Sequence, residues 1–215
     1  MDKVGIHAWI GGMVIVGMLS IAGCGGSGQT VLLDVIPKQA PAQMAEPEAV
    51  KVVIEPFEDR RVEKNRVGMR THLWGGVTYF NVAGEKPGDV YAQALADRLR
   101  ARGWHDRSWD VRVVPAGSAS GADIVITGQI LDLSANAKSR IFSTALSTSS
   151  KVTISARNNS DRSVTNRSIE GARTDTVFWF NEDDIQNLLK ETIKDTIDRY
   201  VEDTTIVQRA VRPTK

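Results

Sequence analysis

Two stretches of the chain repeat apolar positions at helical spacing. In the first, Tyr91, Ala94, Leu95 and Leu99 share one face. Asp89, after Pro87-Gly88, is placed to cap its start, and Gly103 to close its end. Arg98, Arg100 and Arg102 stand in the last turns, where the helix dipole favours cations. In the second, Ile185, Leu188, Leu189, Ile193, Ile197, Tyr200 and Val201 form one stripe. Asn181 caps it, and Glu182, Asp183 and Asp184 suit its positive end. Phe178-Trp179-Phe180 precedes it and reads as a hydrophobic staple onto the sheet, with a partner-docking knob as the alternative.

Between and before these helices lie shorter, β-branched runs. Val50–Ile54 ends at Pro56, Asp110–Pro115 is another run, and Ala122–Leu133 is the strongest. Segments 150–157 and 163–173 flank a turn cluster at 158–162 and read as a hairpin, with Val152, Ile154 and Ala156 on one face. Residues 55–88 lack a clean period and hold several glycines. They read as a long loop or irregular hairpin, with room for a strand over 74–82. The order predicts an α/β (α+β) fold: a mixed β-sheet packed by two main helices.

The N-terminus follows a different pattern. A start with one lysine, an apolar run from Val4 to Leu19 and the small residues Ala22 and Gly23 read as a signal peptide. The run is shorter than the ~20 residues that span a bilayer. Leu19-Ser20-Ile21-Ala22-Gly23-Cys24 resembles the bacterial lipobox, with cleavage between Gly23 and Cys24 and lipid attachment at Cys24. The expected organisation is a signal peptide at 1–23, a Gly/Ser and Pro/Ala tether at 24–49, a globular domain at 50–203 and a frayed tail at 204–215. Within the tether, Thr30–Ile36 is the one apolar stretch with strand character.

Composition then narrows the chemistry. The chain has 215 residues, 41% hydrophobic, with 27 Lys+Arg against 26 Asp+Glu. That balance excludes a disordered chain and disfavours nucleic acid as a partner. It also gives Cys24 its weight. As the single Cys it builds neither an intramolecular disulfide nor a metal centre, so a place in a lipobox is its clearest use. Diacylglyceryl plus an N-acyl chain exceeds the two signals that stable anchoring needs. Gly25, in place of an Asp, favours the outer membrane, periplasmic face.

His72 and His105 have no metal-ligand spacing, and no cofactor motif is present. Gly117–Gly121 precedes a strand and reads as a plain turn. Glu55, Glu58 and Asp59 offer paired carboxylates, although such runs are more often solvated and paired with Arg. The preferred binding candidates are Arg60, Arg61, Arg70, Trp74, Tyr79 and Phe80, because arginine and aromatic residues dominate interface hot spots. For Trp74, Tyr79 and Phe80 the competing reading is a cap on the core.

The lipobox, Val52–Arg61, Gly121–Gly128 and the closing amphipathic helix together resemble the YajG-type family of bacterial outer-membrane lipoproteins. Similar motifs recur in other small envelope lipoproteins, including penicillin-binding-protein activators and the curli secretion channel. The resemblance implies helices on a mixed sheet, no shared catalytic residues and no established activity. The long 62–87 segment and the Pro/Ala linker depart from the family, so a partner does not transfer. Three readings follow: a non-catalytic binding or assembly accessory that meets an envelope protein or a peptidoglycan component; a glycan- or lipid-acting hydrolase using the loop carboxylates; and a subunit of a homo-oligomeric envelope complex. The third would need a membrane hairpin, for which 136–148 joined to 149–173 is the candidate.

Overall fold

A computed structural model describes residues 28–36, 50–84, 86–104 and 109–214. The signal peptide and Cys24 lie outside the described residues. The architecture is a mixed sheet with two helices on one face, as the periodicity predicts. Its axis is a long strand, β7 (Ile124–Arg140), extending beyond the expected 122–133. Antiparallel β8 (Ser143–Asn158) covers one edge of β7, and β9 (Val164–Val177) pairs with β8.

Three short strands share the other edge of β7 in series. β2 (Lys51–Ile54) pairs with its first residues, β3 (Glu58–Asp59) with Gln129–Ile130 and β4 (Gly68–Thr71) with Ala135–Lys138. β6 (Asp110–Val113) extends the sheet beyond β2; β5 (Val77–Val82) and then β1 (Gln29–Leu33) extend it beyond β4. The expected hairpin and the strand over 74–82 are present as β4–β5, and the rest of the 55–88 segment adds β3. Their short lengths and glycines hid the period.

The main core lies on the helix-covered side of the sheet, and a smaller cluster of Val53, Ala122 and Val125 is buried on the other side. Along β8, Leu146, Val152, Ile154 and Ala156 point into the core, as alternation requires. Helix α1 (Pro87–Ala101) buries Tyr91, Leu95 and Leu99 in the main core, and α2 (Glu182–Glu202) buries Ile185, Leu189, Ile193 and Ile197. Asn181 makes the predicted cap in a reciprocal capping box with Asp184. Lys86, not Asp89, is the N-cap of α1, because Pro87 already supplies the first helical position. Arg98 ties the helices together through Asp198 at 2.6 Å.

Two expected boundaries differ from the structure. Val31, Leu33 and Val35, inside the stretch read as tether, are buried, so the folded part starts upstream of residue 50. The C-terminal segment is a hairpin of β10 (Thr204–Val207) and β11 (Ala210–Pro213), not a frayed tail. Val211 is buried there, its backbone held by the Asn158 side chain. Segment 136–148 continues β7 and β8 across the domain, with Ala137 and Leu146 in the core.

Phe57 explains why Gly128 lies opposite it. Its ring stacks on Tyr91 at 5.8 Å and rests on the Gly128 backbone. A Cβ there would lie 2.4 Å from the ring, inside any real contact. Gly128→Ala should therefore destabilise the fold by about 1–3 kcal/mol through overpacking. Chemical denaturation measures this, and Phe57→Leu should relieve part of the loss.

Candidate functional site

The six residues read as a binding surface divide between support and exposure. Arg61 is 5% exposed. Its guanidinium holds Asp59 at 2.8 and 3.0 Å and donates to the carbonyls of Arg66 and Leu133. Phe80 is fully buried, because Thr78, Phe80 and Val82 form the inward face of β5. Both are corrected to structural roles. Arg70 lies over the Phe180 ring at 4.1 Å and reaches Ser139, while Phe80 stacks on Phe180 at 6.3 Å. This cluster seats the start of α2 on the β4–β5 hairpin.

The remaining candidates face outward to different degrees. Arg60 is exposed and pairs with Glu58 at 2.9 Å. Tyr79 is half-buried beneath Arg66. Trp74 is 94% exposed at the β4–β5 turn. The staple at 178–180 is likewise only partly formed: Phe180 packs inward, whereas Phe178 and Trp179 are exposed.

The carboxylates offered for acid/base chemistry do not converge. Glu55 accepts from the Gly117 amide, Glu58 pairs with Arg60, and Asp59 belongs to Arg61. Partial burial pushes the Asp59 carboxyl up, but the hydrogen bonds and charge of Arg61, with the charge of Lys64, outweigh this and hold it below its ordinary value. His72 contacts the Thr78 hydroxyl at 2.9 Å; burial and the Arg70 charge lower its pKa. Among the described residues, no cluster of His, Cys, Asp and Glu is arranged to hold a metal. No helix there is long and apolar enough to cross a membrane.

Two surfaces remain. The face of β7–β9 turned away from the helices is polar, with Ser147, Thr153, Ser155, Asn166 and Ser168 among its residues. A groove of about 510 Å³ opens at one end of this face, lined by Met69, Asn136, Lys138, Ser147 and Thr174. The second surface is the adjoining end of the sheet. There the β4–β5 turn presents Leu73 and Trp74, the β7–β8 turn Ile141 and Phe142, and the β9–α2 junction Phe178 and Trp179. Sequence reading missed Ile141 and Phe142. Their signal was two bulky apolar residues amid Ser, Arg and Lys.

No family model matches the chain, and no curated protein matches it. Solved structures show distant likenesses. A Xanthomonas campestris protein under the family model DUF330 is 10% identical, covering 80% of this chain and 91% of its own, with a TM-score of 0.48. A homologue of a neuraminyllactose-binding hemagglutinin from Helicobacter pylori is 8% identical, over 77% and 91%, at 0.42. A Neisseria meningitidis lipoprotein is 9% identical, over 69% and 99%, at 0.34. Similarity of this degree assigns neither a family nor an activity.

The Arg61–Asp59 pair gives a test by pH. A depressed carboxyl contributes stability that is full above its unfolded pKa, near 4, and is lost as pH falls through the folded value. Asp59→Ala should cost about 3 kcal/mol at neutral pH, because it leaves the buried guanidinium unpaired. The variant should also lose less stability on acidification than the parent. Urea unfolding at pH 7 and pH 3 measures both.

Proposed function

We propose that the chain is a lipoprotein, anchored through Cys24 in the outer membrane and facing the periplasm, whose domain serves as a non-catalytic binding or assembly accessory. The observation that carries this reading is the join between the lipobox and the fold. Gly28, four residues beyond Cys24, donates its amide to the Val77 carbonyl at 2.8 Å. From there β1 runs in parallel register with β5, and its buried side chains enter the core. A lipid on Cys24 would thus hold the sheet itself, not a domain at the end of a long tether.

The open polar face of β7–β9 is the surface left for a partner in the envelope, a protein or a peptidoglycan component. Its hydroxyl, amide and charged groups, including the Lys151–Glu170 pair, suit hydrogen-bonded recognition. In this reading Tyr79 contributes at its margin.

Cys24→Ser should abolish incorporation of labelled palmitate and move the protein out of the membrane fraction. Partner capture with a photo-crosslinker at Thr153 should then weaken by at least tenfold, because the partner is met at the membrane. Unchanged labelling in Cys24→Ser would contradict the anchor. Absence of any reproducible crosslinked envelope component with Cys24 intact would contradict the accessory role.

A further inference from the structure

Of the eleven large hydrophobic side chains exposed among the described residues, six lie on three segments at one end of the sheet. The strand registers bring these segments together. Thr71 pairs with both Val77 and Lys138, placing the β4–β5 turn near the β7–β8 turn. Arg140 pairs with Ser143, and Thr144 pairs with Val177, so the 178–179 pair stands beside them. Five adjacent strands, β5 to β9 by way of β4, β7 and β8, carry the patch across about 20 Å.

The β7–β8 turn sacrifices local preference to make this surface. It has only two residues, Ile141 and Phe142, and Phe142 has φ +65°. Gly or Asn is favoured in that conformation, and a bulky side chain is an outlier there. The polar partners of the strands continue right up to the turn, so the two apolar residues do not extend a buried run. At the neighbouring junction, Phe178 and Trp179 meet edge to face at 5.1 Å, with Trp179 82% exposed.

The place where the chain enters the fold identifies what this end faces. Gly28 is bonded to Val77, three residues from Trp74. From Cys24 to Gly28 the chain reaches no more than about 14 Å. Resting on the lipoprotein reading above, we propose that this aromatic end inserts into the membrane interface. Leu73, Trp74, Ile141, Phe142, Phe178 and Trp179 sit at the boundary between headgroups and acyl chains, so the domain stands on the bilayer instead of floating above it. Trp and Phe are suited to that depth, where amphipathic and apolar rings replace interfacial water. Charges at this end are mixed, with Lys138 and Arg140 against Asp175, Glu182 and Asp183, so apolar contact supplies the attraction.

The test uses the full chain, produced with its lipobox in a bacterial host. It is reconstituted into phosphatidylethanolamine–phosphatidylglycerol vesicles containing dibrominated phosphatidylcholine, which quenches tryptophan at short range. Mass spectrometry of the same sample reads the lipid on Cys24. The expected result is quenching that falls at least twofold in Trp74→Phe/Trp179→Phe, leaving the fluorescence of Trp104 and Trp109 largely unquenched. Phe142→Gly should lower the quenched fraction at least twofold while leaving thermal stability unchanged or raised, since glycine suits the turn. A chain that carries lipid on Cys24 but shows no quenching assigned to Trp74 and Trp179 overturns the insertion and leaves the anchor standing. A chain without lipid on Cys24 that still shows this quenching overturns the anchor and leaves the insertion standing.

Discussion

One edge of β7 must find hydrogen-bond partners along 17 residues, and three strands of two to four residues share it. The handover between them is the constraint on which the sheet depends. The Ile126 carbonyl accepts from Glu55, that of Ile130 from Arg60, and the amide of Ala135 donates to Val67. Between β3 and β4 the register of β7 against β8 shifts at 130–132, and Leu131 is pushed outward. The Arg61 side chain covers the Leu133 carbonyl in this interval, and Asp59 neutralises it. An unmet carbonyl and an unpaired guanidinium at this depth would each cost stability, so the pair and the strand handover require one another.

From that handover follows the position of the β4–β5 hairpin, and from the hairpin the shape of the sheet's end. β4 can pair with β7 only beyond the shift, which carries the 72–76 turn to the level of the β7–β8 turn. β1 then adds to β5 and brings the start of the folded chain to the same end. On the helix side, hydroxyls supplement the apolar core. Tyr91 meets Ser150 at 2.5 Å, Thr196 donates to Ser150, and Thr148 meets Thr192 at 2.6 Å. These buried groups are satisfied by one another, which fixes the angle at which α1 and α2 lie on β8.

The helices were legible because a 3.6-residue stripe persists over many residues, and the Asn181 cap was legible from chemistry alone. The middle of the chain was not, for a physical reason. β3 and β4 are too short to display a period, and their pairing comes from β7, 60 or more residues away. Side-chain direction in β5 depends on register, so Phe80 and Tyr79, adjacent in sequence, fall on opposite faces. Arg61 looked like a surface arginine because, beside Asp59, its partners are the carbonyls of Arg66 and Leu133, which sequence does not display. Leu33 and Val211 were lost in segments whose composition resembles a tether and a tail, although each finds its core through a distant strand or side chain.

In the proposed arrangement the anchor and the apolar end together make the sheet stand upright on the membrane. Its far end, with the 117–121 loop and the C-terminal hairpin, should lie about 50 Å from the bilayer, the length of β7 at ~3.3 Å per residue. Neutron reflectometry on a supported bilayer bearing the lipidated protein measures this directly. An upright sheet gives a protein layer about 50 Å thick, continuous with the headgroups and without an intervening water layer. A layer roughly half as thick, or one separated from the headgroups by solvent, would contradict it.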